Sequence, residues 1–184
     1  MVFSNPLLFP RAAVSDAPAS LVDLLPTLLD LAGAPLTGAL DGASLAGVLA
    51  GAGEPDREGL QAASLDAIGA TASAASARRE RALFTYDDHQ AGTARRDAPG
   101  QPNRLRSVRE QRWKYSVYLD PDGQASPEYE LYDLEADPNE SHNLLERDSG
   151  RPRRRAAAAE LGRLHEALLE ECRRTATPVF GLEG

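Results

Sequence analysis

Hydrophobic positions along this chain follow two periods. Between Ser20 and Gly33 leucines recur at mostly helical spacing, and Leu24, Leu25, Leu28, Leu29 and Leu31 predict a helix over 23–32. Pro26 has no amide hydrogen to donate, so it belongs in the first turn, with the cap at Asp23 or Ser20. Gly33 fits the left-handed position after a helix, and Pro35 blocks continuation. A short second helix is expected over 44–49, ending at Gly51. Near the other end Ala157, Leu161, Leu164 and Leu168 recur at i, i+4, i+7 and i+11, with Glu and Arg on the opposite face. That spacing predicts an amphipathic helix over 153–173, with Leu161 and Leu168 in its buried contact.

Two-residue alternation marks the region between. Ala82–Tyr86 reads as a strand, and Leu105–Arg109 with Trp113–Leu119 reads as a hairpin. In its second arm Trp113, Tyr115, Val117 and Leu119 share one face. Glu130–Leu134 gives another short strand, closed by the turn residues Asp137, Pro138 and Asn139. Val2–Phe3, running into Pro6 and Pro10, reads as a strand end that begins abruptly, as if cut in the middle. Gln90–Asn103, with its glycine and proline breakers, reads as a loop.

Composition divides these elements. From Gly51 to about Ala77 the chain is mostly Ala, Gly and Ser with few large apolar residues, which predicts a solvated connection. The expected organisation is an α/β fragment over 1–50, a linker over 51–81, an α+β subdomain over 82–175 and a tail over 176–184. A net charge of −8 argues against a general affinity for nucleic acid. No apolar run approaches the length of a bilayer span, so no membrane role is expected. Cys172 is the sole cysteine, which rules out an intrachain disulfide. The first residues carry no basic or apolar leader, so a cytoplasmic location is expected if Met1 is the true start.

Four stretches, in order, carry a family resemblance. They are Ser20–Gly33, Leu40-Asp-Gly-Ala-Ser-Leu45, the Arg106-to-Tyr118 hairpin with its Trp-Lys-Tyr, and Glu130-Leu-Tyr-Asp-Leu…Asp-Pro…Asn-Leu144. Together they resemble the C-terminal part of the sulfatases, of the alkaline-phosphatase-like superfamily. The resemblance implies the end of a large domain followed by a small antiparallel sheet with a C-terminal helix. It also implies a complete enzyme that hydrolyses sulfuric esters with a formylglycine and a divalent cation, usually calcium. The formylglycine motif, Cys/Ser-x-Pro-x-Arg, does not occur in this sequence: Cys172 is followed by Arg-Arg-Thr. No catalytic residue, metal ligand or cofactor is therefore expected in this chain, and the isolated chain is expected to be inactive. The expected partners are the missing N-terminal half of such an enzyme, or a second copy of the chain. A second reading is a free-standing interaction module, or a decayed remnant, using the leucine helix 23–32 as its partner surface.

Thr85-Tyr-Asp-Asp-His89 is the one local cluster with acid–base or metal-binding potential. Successive strand residues point to opposite faces, so Asp87 and Asp88 need a turn to converge. By the resemblance this strand end can border the substrate pocket, which makes Asp87, Asp88 and His89 the candidate rim residues. A third reading is a small metal-dependent hydrolase built on the same three. His142, in the Asp-Pro turn region, and His165, on the last helix, are expected at the surface or in capping roles, and Arg151–Arg155 in solvent. The substrate is not legible from the sequence.

Overall fold

The computed structural model describes residues 4, 8, 12, 14–35, 37–51, 79–88, 102–120, 122–123 and 125–182. The expected Val2–Phe3 strand, nearly all of the Ala/Gly/Ser linker and most of the Gln90–Asn103 loop lie outside the described residues. The chain divides into two compact units, Met1–Glu80 and Arg81–Gly184.

In the first unit a 3-10 turn, Leu21–Asp23, runs into α1, Leu24–Leu31, and α2 follows at Ala46–Gly51. Ser20 opens the turn, its amide donating to the Asp23 carboxylate at 2.8 Å while the Asp23 amide bonds back to the Ser20 carbonyl at 3.1 Å. Of the two candidate caps, Ser20 takes the extended cap conformation and Asp23 answers it from within the turn. Gly33, at φ 64°, ends α1 in the left-handed conformation expected of it.

The second unit is a four-stranded antiparallel sheet in the order β1-β2-β3-β4, with one helix packed on it. The strands are β1 (Ala82–Asp87), β2 (Arg104–Arg109), β3 (Trp113–Leu119) and β4 (Glu128–Asp133), and the helix is α3 (Arg155–Arg174). Val108, Tyr115 and Leu131 lie side by side in register across the middle of the sheet, all buried. The alternation in β3 holds: Tyr115, Val117 and Leu119 are buried, and Trp113 packs against the edge of the same core.

α3 covers that face with Ala157, Leu164, Ala167, Leu168, Leu169 and Cys172. Leu168 is fully buried as expected, whereas Leu161 is only partly buried and packs at the rim. The contact is centred further along the helix than the leucine spacing alone suggests, because Ala167 and Cys172 supply its small-residue half. α3 also starts two residues later than expected. Pro152 bridges to Leu145 and the Arg153 amide donates to the Leu144 carbonyl, which holds the chain extended up to Arg154.

Residues 176–182, expected as a tail, fold back on the unit. Val179 packs against the core and Leu182 is buried.

The outer edge of β4 is closed by side-chain mimicry. Asn143 Oδ1 accepts the Leu131 amide at 3.0 Å and its Nδ2 donates to the Tyr129 carbonyl at 2.8 Å. The Leu144 amide then bonds the Leu131 carbonyl, and the Tyr129 amide bonds the Arg147 carbonyl. The Leu-Tyr-Asp-Leu…Asn-Leu words of the sequence are thus a strand and the segment that caps its edge.

Candidate functional site

The rim candidates sit where β1 ends. Asp87 lies on the helix-facing side of the sheet, and its carboxylate accepts from Arg106 Nη1 at 2.7 Å, with Arg104 Nε at 3.6 Å. Arg106 is fully buried, and its Nε donates to the Pro178 carbonyl at 2.8 Å while the Phe180 ring lies 5.2 Å from its guanidinium carbon. A buried guanidinium needs an anion and hydrogen-bond acceptors to offset its desolvation. Asp87, Pro178 and Phe180 supply them, so Asp87 is engaged in holding the buried arginine.

Asp88 follows past the strand. Its amide donates to the Asn103 carbonyl at 2.9 Å and its carbonyl accepts from Arg104 Nη1 at 2.7 Å. The two arginines tie the end of β1 to the start of β2. The two carboxylates are not brought together as a pair by any contact described, and His89 lies outside the described residues. Among the described residues no group of three or more His, Cys, Asp or Glu side chains could hold a metal ion.

His142 is in solvent as expected, its side chain 85% exposed beside Asp137. The backbone amides of Ser141 and His142 hold the Asp137 carboxyl below its usual range. His165 is not at the surface but half-buried. Its Nε2 faces the Leu182 carbonyl at 3.1 Å and its Nδ1 faces the Tyr115 hydroxyl at 3.3 Å. A carbonyl only accepts, so Nε2 carries the proton and Nδ1 accepts from Tyr115. Sequence reasoning missed this contact because a histidine on the flank of an amphipathic stripe carries no sign of what folds back onto it.

Among the arginines of 151–155, Arg153 donates to the Leu145 carbonyl, while Arg151, Arg154 and Arg155 are exposed. Lys114, the sole lysine, is paired with Glu140. Burial pushes the Cys172 thiol pKa up, which disfavours the reactive thiolate.

The first unit presents a different feature. Beside the buried Pro26, Leu45 and Ala46, its described buried residues are polar: Asp23, Thr27, Asp30 and Ser44. Thr27 Oγ1 donates to the Asp23 carbonyl at 2.6 Å and accepts the Leu45 amide at 2.9 Å. Asp23 Oδ1 accepts the Ala43 amide at 2.9 Å and Arg79 at 2.6 Å, and the Ser44 hydroxyl donates to Asp30 at 2.5 Å. Asp23, Thr27 and Asp30 recur at i, i+4 and i+7, so one face of the helical segment clips the Asp41–Ala46 loop against it. Gly42 is required there, because a Cβ would stand 2.0 Å from the Val22 carbonyl oxygen.

The opposite face is apolar and open: Leu21, Val22, Leu25 and Leu28 are 77%, 50%, 53% and 57% exposed. Leucine spacing puts Leu24, Leu28 and Leu31 on one side, with Leu25 and Leu29 extending the apolar surface; the exposed set differs. The exposed leucines form one stripe, Leu21–Leu25–Leu28, while Leu24, Leu29 and Leu31 are half-buried.

No family model matches this sequence, and no curated protein matches it. Solved structures do. One is BT4656, determined in complex with its substrate D-glucosamine-2-N,6-O-disulfate, at 25% identity over 83% of this chain and 23% of that one, with a TM-score of 0.53. Another is a putative sulfatase from Bacteroides thetaiotaomicron VPI-5482, at 26% identity over 83% of this chain and 24% of that one, with a TM-score of 0.51. The chain therefore spans about a quarter of the length of the structures it matches. Over most of its own length it is similar to sulfatases, and its extent fits the C-terminal portion of their fold.

Proposed function

We propose that this chain acts as the C-terminal portion of a sulfatase of the alkaline-phosphatase-like superfamily. In this reading it supports and borders the pocket of a sulfuric ester hydrolase without supplying its reactive groups. The observation that carries it is the likeness to sulfatase structures over 83% of the chain, set against the missing Cys/Ser-x-Pro-x-Arg motif. By analogy with BT4656, the substrate class is a sulfated hexosamine.

Sulfate-ester hydrolysis needs an activated nucleophile, a cation to neutralise the ester oxygens and an acid for the departing alkoxide. In the complete enzyme a formylglycine and calcium would supply the first two. The described residues do not fit a calcium ion: the Asp87 carboxylate is engaged by Arg106, and no cluster of ligands accompanies it. No step of the reaction is assigned to this chain. Asp87 positions the end of β1 through Arg106, and Asp88 and His89, next in sequence, are assigned to the rim of the pocket.

The test is turnover of p-nitrophenyl sulfate and of D-glucosamine-2-N,6-O-disulfate by the purified chain, with and without calcium. No release of sulfate above buffer is expected in either case. Metal-dependent turnover by the pure chain would overturn the proposal in favour of a small hydrolase built on Asp87, Asp88 and His89. The exposed leucine stripe favours a second reading, an interaction module that uses the helix as its partner surface.

A further inference from the structure

The segment after α3 is held in a conformation that its own residues resist. Ala176 and Phe180 sit at φ 50° and 45°, followed by Gly181 at 88°. An alanine and a bulky aromatic avoid the left-handed region, and such strain persists only where surrounding contacts over-determine it. Those contacts are present. The Thr177 amide donates to the Cys172 carbonyl at 2.8 Å, Leu182 is buried, and the Leu182 carbonyl accepts from His165 Nε2 at 3.1 Å.

Closed in this way, the segment covers a buried cation. Arg106 Nη1 donates to Asp87 at 2.7 Å and to the Leu105 carbonyl at 2.9 Å. Its other two partners, the Pro178 carbonyl on Nε and the Phe180 ring, both belong to the C-terminal segment. β1 depends on the same arginine. It is an edge strand paired only with β2, and its register with β2 ends at Asp87 opposite Arg104. A strand end with one neighbour frays readily. Arg106 stands opposite Thr85 and reaches diagonally to Asp87, which ties that end down.

The strength of the tie depends on keeping water out. An ion pair screened from solvent is strong, and one that water reaches is worth little. With the segment closed, Arg106 is fully buried. With it open, Nε loses its acceptor and water enters beside the pair.

We infer that residues 176–182 are a strap that fixes the end of β1 through Arg106, so that the placement of Asp88 and of the rim after it depends on whether the strap is closed. Arg106 is the positioning residue, and the strain at Ala176 and Phe180 keeps the open form within reach. Only the assignment of this strand end to a pocket rim rests on the sulfatase reading. The strap stands on contacts within the second unit alone.

The experiment reads amide exchange by NMR in the full 184-residue chain, comparing the Asp88 amide, bonded to the Asn103 carbonyl, with the Val117 amide in β3. Gly181→Ala meets no heavy atom within 4 Å of its added Cβ but is strained at φ 88°, so it loosens the strap without touching Arg106 or Asp87. It should speed Asp88 exchange by about tenfold relative to Val117. Ala176→Gly relieves strain and loses no contact described here, so it should slow Asp88 exchange relative to Val117 by about fivefold. In an Asp87→Asn background the charged tie is gone, and Gly181→Ala should no longer change the Asp88 rate.

An Asp88-to-Val117 ratio that neither Gly181→Ala nor Ala176→Gly moves would overturn the strap. Equal acceleration of both amides by Gly181→Ala would do so too, since the segment would then be an ordinary part of the core. An undiminished effect in the Asp87→Asn background would show that the coupling bypasses Arg106 and would overturn its positioning role. If Asp87→Asn does not fold, the opposite signs expected of Gly181→Ala and Ala176→Gly still decide the matter. Turnover of a sulfate ester by the pure chain would sink the sulfatase reading and leave the strap standing.

Discussion

The two units of this chain solve the burial problem in opposite ways. The second unit puts Val108, Tyr115, Val117, Leu131, Leu164 and Leu168 inside and leaves most of its charges in water. The first puts Asp23, Thr27, Asp30 and Ser44 inside and leaves Leu21, Leu25 and Leu28 in water. Burial of leucine and valine stabilises the second unit by itself. Satisfied hydrogen bonds contribute less per group, so the described part of the first unit, whose buried apolar residues are Pro26, Leu45 and Ala46, draws less stability from apolar burial than the second. One unit closes over an apolar core, and the other leaves an apolar stripe in water.

The contrast can be broken most directly in the second unit. Leu164 is fully buried between α3 and the sheet, and Leu164→Ala should cost about 2–5 kcal/mol. Leu161, at the rim, should cost clearly less, about 1 kcal/mol or below, because part of its surface stays in water. Urea midpoints followed by Trp113 fluorescence separate the two, and equal midpoints would mean that α3 packs in another rotation.

In the first unit the corresponding weak point is polar. Thr27→Val keeps the shape but removes the acceptor of the buried Leu45 amide, at an expected cost of about 1–3 kcal/mol. Gly42→Ala should displace the Asp41–Ala46 loop by contact with the Val22 carbonyl, for about 1–3 kcal/mol. Both should speed amide exchange in α1 and α2 and leave the urea midpoint of the second unit unchanged. A shifted midpoint there would show that the two units are energetically one.

The smallest effect is electrostatic. A side-chain bond from Arg112 holds the Asp133 carboxyl below its ordinary range, and two backbone amides do the same for Asp137. A carboxyl whose pKa is lower folded than unfolded contributes stability above its unfolded value, near 4, and loses it as pH falls through the lower folded value. The second unit should therefore weaken between about pH 4 and the acid limit, and Asp133→Asn should flatten that slope. Arg112 is half exposed and both carboxyls are only partly buried, so the change should be modest. Urea midpoints at pH 7, 5 and 3 measure it.

Much of the second unit was legible because one period decides one face. The alternation of Trp113, Tyr115, Val117 and Leu119 has a single reading once strand is chosen, and the hairpin and β4 follow from it. Asn143 and Arg106 were not legible in the same way, because their partners are backbone groups and a carboxylate brought close only by the fold. Nor were the roles of residues 176–182, whose sequence carries no period at all.

In the first unit the helix was legible and its orientation was not. Leucines at 21, 24, 25, 28, 29 and 31 leave few positions to mark an outside. A usable signal lay in the polar residues: Asp23, Thr27 and Asp30 share the spacing of a single face, and three buried hydrogen bonds and one part-buried one account for it. At the end of β1, Asp87 was legible as a candidate but its pairing with Arg106 was not, since a carboxylate at a strand end looks the same in sequence whether it serves a ligand or a buried arginine.

Residue-resolved amide exchange on the isolated full chain tests the central contrast most directly. Amides of β2, β3 and α3 should exchange only through global opening of the second unit, and those of α1 should exchange orders of magnitude faster through local opening. If α1 in a monomeric chain is as slow as β3, the leucine stripe is already buried and the contrast between the two units fails.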